Sequence, residues 1–98
     1  MGWADYHIEA LQRGETVQFR PSGSSMSPKV KSRQLCTVEP VEFLDVKVGD
    51  IVLCRVSGNQ YLHLVKARGL DRIQIGNNKG RINGWTRSVY GRLIKVED

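Results

Sequence analysis

A short loop rich in serine is the segment of this 98-residue sequence best suited to carry chemistry. In the serine loop, Gly23-Ser24-Ser25-Met26-Ser27-Pro28, a turn glycine precedes Ser25, a methionine can anchor the chain in a core, and a proline fixes the exit. Such a loop can present a hydroxyl beside free backbone N–H groups, as nucleophilic catalysis requires. Serine, glycine and proline also form ordinary polar turns, so residue types alone leave both roles open for Ser25.

Short strands make up most of the predicted framework around this loop. The periodicity predicts one helix at 4–13 and six strands, at 17–19, 34–39, 51–56, 61–66, 72–75 and 89–96. The pair Gly58-Asn59 predicts a hairpin turn, and the Gly- and Asn-rich stretch 76–85 predicts a polar loop. We therefore expect an N-terminal helix and leader at 1–15 and one β-rich domain at 16–98, built as a sheet or partly open barrel.

Two motifs in this framework resemble those of a known superfamily. The serine loop is similar to the G-x-S-M-x-P nucleophile box of the LexA-like repressors and the signal peptidases, which share one β-rich fold. Both groups continue with a Gly-Asp-hydrophobic strand, a turn and a strand that bears the general base; here these are Gly49-Asp50-Ile51-Val52-Leu53 and Tyr61-Leu62-His63-Leu64-Val65. The resemblance covers about 16–96 and implies a mainly β, strongly bent, partly open sheet with Ser25 as the nucleophile.

His63 takes the position of the catalytic lysine, which resembles the endoplasmic-reticulum and archaeal type of signal peptidase, where histidine replaces that lysine. An imidazole with a reference pKa of ~6.5 is largely neutral at pH 7, so it can accept the serine proton without a buried site to lower its pKa. By the period of two, Lys66 falls on the opposite face of the strand and is not expected to replace His63. The alternative role for His63 is that of a strand histidine with a structural hydrogen bond.

The resemblance also implies residues that support this pair. The backbone N–H of Ser25 would bind the oxyanion, and the supporting residues around it would be Ser22, Ser24 and Met26. Where histidine-type signal peptidases carry an Asp in a Gly-Asp-x-Asn-like segment, this chain has Gly76-Asn77-Asn78. Asn77 can orient an imidazole by hydrogen bonding but supplies no negative charge, and Asp71 is the nearest acidic alternative.

The chain also departs from both groups of relatives. The glycine that usually follows the serine box is replaced by Ser32-Arg33-Gln34. No apolar run exceeds the four residues 51–54, so we expect no membrane span, and neither a DNA-binding helix-turn-helix nor an Ala-Gly cleavage site precedes the domain. Signal-peptide removal at a bilayer and repressor self-cleavage are therefore not expected, and only the shared core remains.

The two cysteines, Cys36 and Cys54, lie in apolar strand-like runs without the paired spacing of a zinc site. We expect reduced core thiols in a cytoplasmic protein, with no metal and no cofactor. A single structural disulfide is the alternative.

The formal charge of +5 belongs to the last third of the chain, because residues 66–98 contain eight basic and three acidic side chains. Nucleic acid could bind there through Lys79, Arg81, Arg87 and Arg92, although a solvated face is the simpler interpretation. The leading hypothesis is a small serine endopeptidase-like protein acting on peptide bonds. The alternative is a non-catalytic peptide- or nucleic-acid-binding module that keeps the fold; the oligomeric state stays open.

Overall fold

Seven antiparallel strands and one short helix make up the computed structural model, which describes residues 2–98. In chain order they are α1 (Asp5–Gln12), β1 (Val17–Phe19), β2 (Leu35–Pro40), β3 (Ile51–Val56), β4 (Asn59–Arg68), β5 (Ile73–Gly76), β6 (Ile82–Thr86) and β7 (Val89–Glu97). A single 3-10 turn, Phe43–Asp45, lies between β2 and β3. The predicted mainly β fold with an N-terminal helix is confirmed. No helix within residues 2–98 is long and apolar enough to cross a membrane.

All strands belong to one open sheet in the order β1-β2-β7-β3-β4-β5-β6. Strands β3 to β6 follow one another as a meander, whereas β7 lies between β2 and β3 and pairs with both. β7 therefore joins the part of the sheet that carries the serine loop to the part that carries His63. β1 and β6 form the two edges.

Two local predictions differ from the structure. The stretch 76–85 is not all loop, because β6 begins at Ile82 and pairs with β5 across an irregularity between Ile75 and Gly76. Most of β6 is exposed or half-buried, so the sequence shows no apolar alternation there. The turn between β3 and β4 consists of Ser57 and Gly58, which both have positive φ, 50° and 84°, rather than of Gly58 and Asn59.

The core is divided into two clusters, because successive side chains of a strand point to opposite faces of the sheet. Leu53 of β3 belongs to the cluster that packs against α1, and its neighbour Val52 belongs to the other. Cys36 lies in the first cluster and Cys54 in the second; both are free and fully buried.

Helix α1 packs closely on the sheet at Gly91 of β7. A Cβ at this position would lie 2.6 Å from Val38 Cγ1 and 2.9 Å from Leu11 Cδ1. Val38 and Leu11 are almost fully buried, so neither can move aside without disturbing the core. The missing side chain at Gly91 therefore sets how closely α1 approaches the sheet.

Candidate functional site

The serine loop lies in the connection between β1 and β2 and is held by its own turns. Ser27 donates its backbone N–H to the carbonyl of Ser24 at 3.1 Å, and Val30 donates to the carbonyl of Met26 at 3.0 Å. Met26 and Val30 are both buried in the cluster under α1. Met26 therefore anchors the loop in the core, and Ser25 is presented from a fixed position.

The Ser25 hydroxyl lies within hydrogen-bond distance of the His63 imidazole. Ser25 Oγ and His63 Nε2 are 3.2 Å apart, although the two residues are 38 positions apart in the chain. His63 lies on β4 opposite Val52 of β3 and is only 9% exposed, and its ring stacks on that of Tyr61 with centroids 4.8 Å apart. The sheet and the tyrosine ring together hold the imidazole with Nε2 facing the hydroxyl.

The other imidazole nitrogen is held by Asn83 of β6. His63 Nδ1 and Asn83 Oδ1 are 2.7 Å apart, and an amide oxygen can only accept a hydrogen bond. The proton therefore resides on Nδ1 in the neutral ring, which leaves the lone pair of Nε2 free to accept the proton of Ser25. The chain thus builds a line of three side chains, Ser25, His63 and Asn83, in the order that a serine–histidine site requires.

The protonation of His63 is set by two opposing effects. Burial lowers the pKa of its imidazole, because a cation is poorly solvated in the sheet, and the hydrogen bond from Nδ1 to Asn83 raises it by a smaller amount. The net result is a pKa below the usual value of 6.5. The ring is therefore neutral at pH 7 and able to act as a base.

Asn77, expected to orient the imidazole, has a different role. Its Oδ1 accepts the backbone N–H groups of Lys79 and Arg81, at 2.8 and 2.9 Å, and so closes the connection between β5 and β6. Asp71, the acidic alternative, lies exposed in the turn between β4 and β5. The residue that contacts the imidazole is Asn83, six positions after Asn77.

The same connection also supports the serine loop from outside. Asn78 donates its backbone N–H to the carbonyl of Ser25 at 2.9 Å and its Nδ2 to the carbonyl of Ser27 at 3.0 Å. The sequence analysis therefore singled out this segment, but the asparagine whose side chain contacts the imidazole is Asn83. Placing Asn83 needed the unpredicted strand β6, since only its pairing with β5 brings residue 83 next to β4.

The backbone of Ser25 is suited to binding an oxyanion. Among residues 2–98, no carbonyl accepts a hydrogen bond from the backbone N–H of Ser25. Ser22 lines the cavity beside the hydroxyl, whereas Ser24 contributes its carbonyl to the turn of the loop. This N–H next to the Ser25 hydroxyl is a donor that a negatively charged oxygen could use.

A cavity of about 560 Å³ opens next to this pair. Its lining includes Ser25, His63 and Tyr61 and also the aromatic residues Phe19 and Trp3. The volume lies within the range of about 300–1,000 Å³ that is usual for sites that enclose a ligand. The Ser25 hydroxyl therefore lies in the wall of a space large enough to accept part of a ligand.

The four basic residues expected at a nucleic-acid surface lie in different surroundings. The guanidinium of Arg92 lies 3.5 Å from Asp50 and 3.9 Å from Glu39, so its charge is largely balanced. Arg87 lies over the ring of Phe43, 5.5 Å from its centroid, and the exposed Lys79 and Arg81 follow in the β5–β6 connection. Nucleic-acid binding through these residues stays a prediction.

Comparisons with protein-family models, with curated proteins and with solved structures find no match for this chain. Within residues 2–98, no group of three or more His, Cys, Asp or Glu side chains is placed to hold a metal ion.

Proposed function

We propose that this protein is a small serine peptidase-like hydrolase of the LexA and signal peptidase type, in which Ser25 is the nucleophile and His63 the general base. The observation that carries the proposal is the 3.2 Å approach of Ser25 Oγ to His63 Nε2, with Nδ1 held by Asn83. Three separate parts of the chain supply these groups. Their assembly at the wall of a cavity places a serine hydroxyl and a neutral imidazole where a ligand can reach them.

The reaction would begin when Ser25 Oγ attacks a peptide carbonyl carbon and passes its proton to His63 Nε2. The carbonyl oxygen becomes an oxyanion beside the backbone N–H of Ser25. His63 then gives the proton to the leaving amine, which leaves an acyl group on Ser25. Water next attacks the acyl carbon while His63 accepts its proton, and His63 returns that proton to Ser25 Oγ as the acid product leaves. Asn83 orients the imidazole but carries no negative charge, so we expect slower catalysis than in a site that has an aspartate there.

A peptide in extended form is the substrate that this arrangement suits. β1 is an edge strand whose outer side is unpaired within residues 2–98, and the chain passes from β1 into the cavity wall at Phe19, Arg20 and Pro21. An extended peptide could pair with this edge through its backbone and bring a carbonyl to Ser25. The two free, buried cysteines fit a reducing compartment such as the cytoplasm.

Labelling with a fluorophosphonate, which reacts with activated serines, tests the proposal directly. We expect wild-type protein to be labelled at Ser25, identified by mass spectrometry, with a rate that rises with pH as His63 loses its proton, and with a midpoint below 6.5 because burial lowers the pKa of the imidazole. Ser25→Ala should abolish labelling and His63→Ala should reduce it by at least about a hundredfold. Ser88→Ala, in the β6–β7 turn, is the matched control and should label like wild type.

Labelling that persists in Ser25→Ala would remove the proposed nucleophile. A folded wild-type protein that is not labelled at any pH would favour the alternative, a non-catalytic peptide-binding module.

A further inference from the structure

The N-terminal segment forms one wall of the cavity beside Ser25. Trp3, His7 and Phe19 make up this aromatic wall and all three line the cavity. The ring of Phe19 lies 4.5 Å from that of His7, nearly parallel to it, and 5.5 Å from that of Trp3. Trp3 remains 53% exposed, so it has a large apolar surface that a ligand can cover. The aromatic wall is thus a continuous surface of rings facing a space that also borders the nucleophile.

Gln60 of β4 fixes this wall to the strand that carries His63. Its side-chain Oε1 accepts the buried backbone N–H of Ala4 at 2.7 Å, and its backbone carbonyl accepts Trp3 Nε1 at 3.2 Å. Its Nε2 donates to Asp5, at the first turn of α1. Gln60 lies only three positions before His63, so the aromatic wall and the general base are held at a constant separation.

The charged side chains that line the cavity are all basic. Arg20 and Lys31 both line the cavity, and no aspartate or glutamate does so among residues 2–98. Arg20 donates to the backbone carbonyl of Arg33 at 2.8 Å but forms no salt bridge within residues 2–98, and neither does Lys31. An acidic group on a ligand would therefore find two cations and no competing carboxylate.

We propose that the cavity is a specificity pocket that takes a bulky apolar, preferably aromatic, side chain next to the scissile bond, with an acidic residue beside it. This inference rests on the proposed function and names its substrate class. A cavity of about 560 Å³ is much larger than a small side chain such as alanine can fill, and an unfilled apolar cavity gives no contact energy. An aromatic side chain of the ligand can stack against the aromatic wall. This contact removes from water both the ring of the ligand and the exposed surface of Trp3.

Paired peptide phosphonates test this preference. Two diphenyl phosphonates are compared that differ only in carrying a phenylalanine or an alanine side chain next to phosphorus, each preceded by glutamate. Ser25 Oγ forms a bond to phosphorus, phenoxide leaves, and the serine proton passes to His63. We expect the phenylalanine compound to react at least about tenfold faster, since it buries an aromatic ring.

Variants of the wall give the matched comparison. Trp3→Ala should reduce the ratio of the two phosphonate rates by about threefold or more. Trp85→Ala should leave the ratio unchanged, because Trp85 is a similarly exposed tryptophan on the edge strand β6, outside the cavity. A third phosphonate, with lysine in place of glutamate before the phenylalanine, tests the charge preference: wild type should react faster with the glutamate compound, Lys31→Glu should reduce that difference, and Lys29→Glu, two positions away and outside the lining, should not. Thermal unfolding of each variant confirms that it is folded.

A binding measurement separates this inference from the proposed function. Fluorescence anisotropy measures how tightly Ser25→Ala binds labelled peptides that contain Glu-Phe or Glu-Ala, and it does not depend on any reaction at Ser25. We expect the Glu-Phe peptide to bind about tenfold more tightly. If wild type reacts with no phosphonate but Ser25→Ala still prefers the Glu-Phe peptide, the pocket is supported and the peptidase function is not. If Ser25 reacts equally with both phosphonates and Ser25→Ala binds both peptides equally, the function stands and the specificity pocket is refuted.

Discussion

Replacing Asn83 with aspartate would change the chemistry of the site at one atom. Asn83 Oδ1 lies 2.7 Å from His63 Nδ1, and Asn83→Asp puts a carboxylate oxygen there with almost the same shape. The new negative charge stabilises the imidazolium. The pKa of His63, which burial holds below 6.5, should therefore rise.

The size of the effect follows from the geometry. A carboxylate in direct contact typically shifts the pKa of its neighbour by about one to three units. His63 is only 9% exposed, so solvent screens the interaction weakly and a shift of at least about one unit is expected. Asn83→Ala should lower the pKa of His63 further, because it removes the hydrogen bond that raises it. The substitution also leaves Nδ1 without a partner to orient the ring, and this loss should slow labelling by about tenfold.

Proton-detected titration of the imidazoles measures the pKa without relying on catalysis. The sequence has two histidines, and His7, which makes no contact with Asn83, serves as the internal reference. In Asn83→Asp the His63 resonance should titrate at higher pH while that of His7 is unchanged, and the rise in fluorophosphonate labelling should move to higher pH by the same amount. An unchanged His63 titration in Asn83→Asp would show that Asn83 does not govern the imidazole, and the mechanism derived from it would be refuted.

Two further predictions concern stability. Burial lowers the pKa values of both His7 and His63. As the pH falls through about 6.5, the unfolded chain therefore binds protons before the folded chain does, and the free energy of unfolding should decrease until the pH has also passed the folded-state pKa values. Urea denaturation checks this: His63→Gln and His7→Gln should each show a shallower dependence, and a flat profile in wild type would contradict the cause given. Gly91→Ala should reduce the free energy of unfolding by about 1–3 kcal/mol, because its Cβ would overlap Val38 and Leu11. Gly69→Ala, whose nearest contact is 3.5 Å, is the matched control, and an equal loss in both variants would show that close packing of α1 is not responsible.

The sequence predicted the framework better than the site. Strand β3 was predicted with the bounds observed, because it is a continuous run of β-branched and apolar side chains, and β7 was predicted to within one residue. Ser25 and His63 were found through motifs, and the structure brings their side chains together. Asn83 was missed because β6 has little buried surface, and without a strand there the three asparagines of the stretch 76–85 are equivalent.

The aromatic wall was unpredictable for a different reason. Trp3 and His7 belong to the segment interpreted as helix and leader, and nothing in their spacing relates them to residues near position 60. The link is the amide of Gln60, which bonds to Ala4 and Asp5. Hydrogen bonds between residues more than 50 positions apart leave no periodic signal in a single sequence.

The central position of β7 has a consequence for the order in which this protein can assemble during synthesis. The strands from β3 to β6 pair with their sequence neighbours, so the hairpins that place His63 and Asn83 can form early. The half that contains β1, β2 and the serine loop joins them through β7, which is made last of all the strands. A ribosome-bound chain that has not yet released Val89–Glu97 should therefore hold Ser25 and His63 in two parts of the sheet that no strand pairing joins, and the approach of the two side chains should become stable only once β7 has been added.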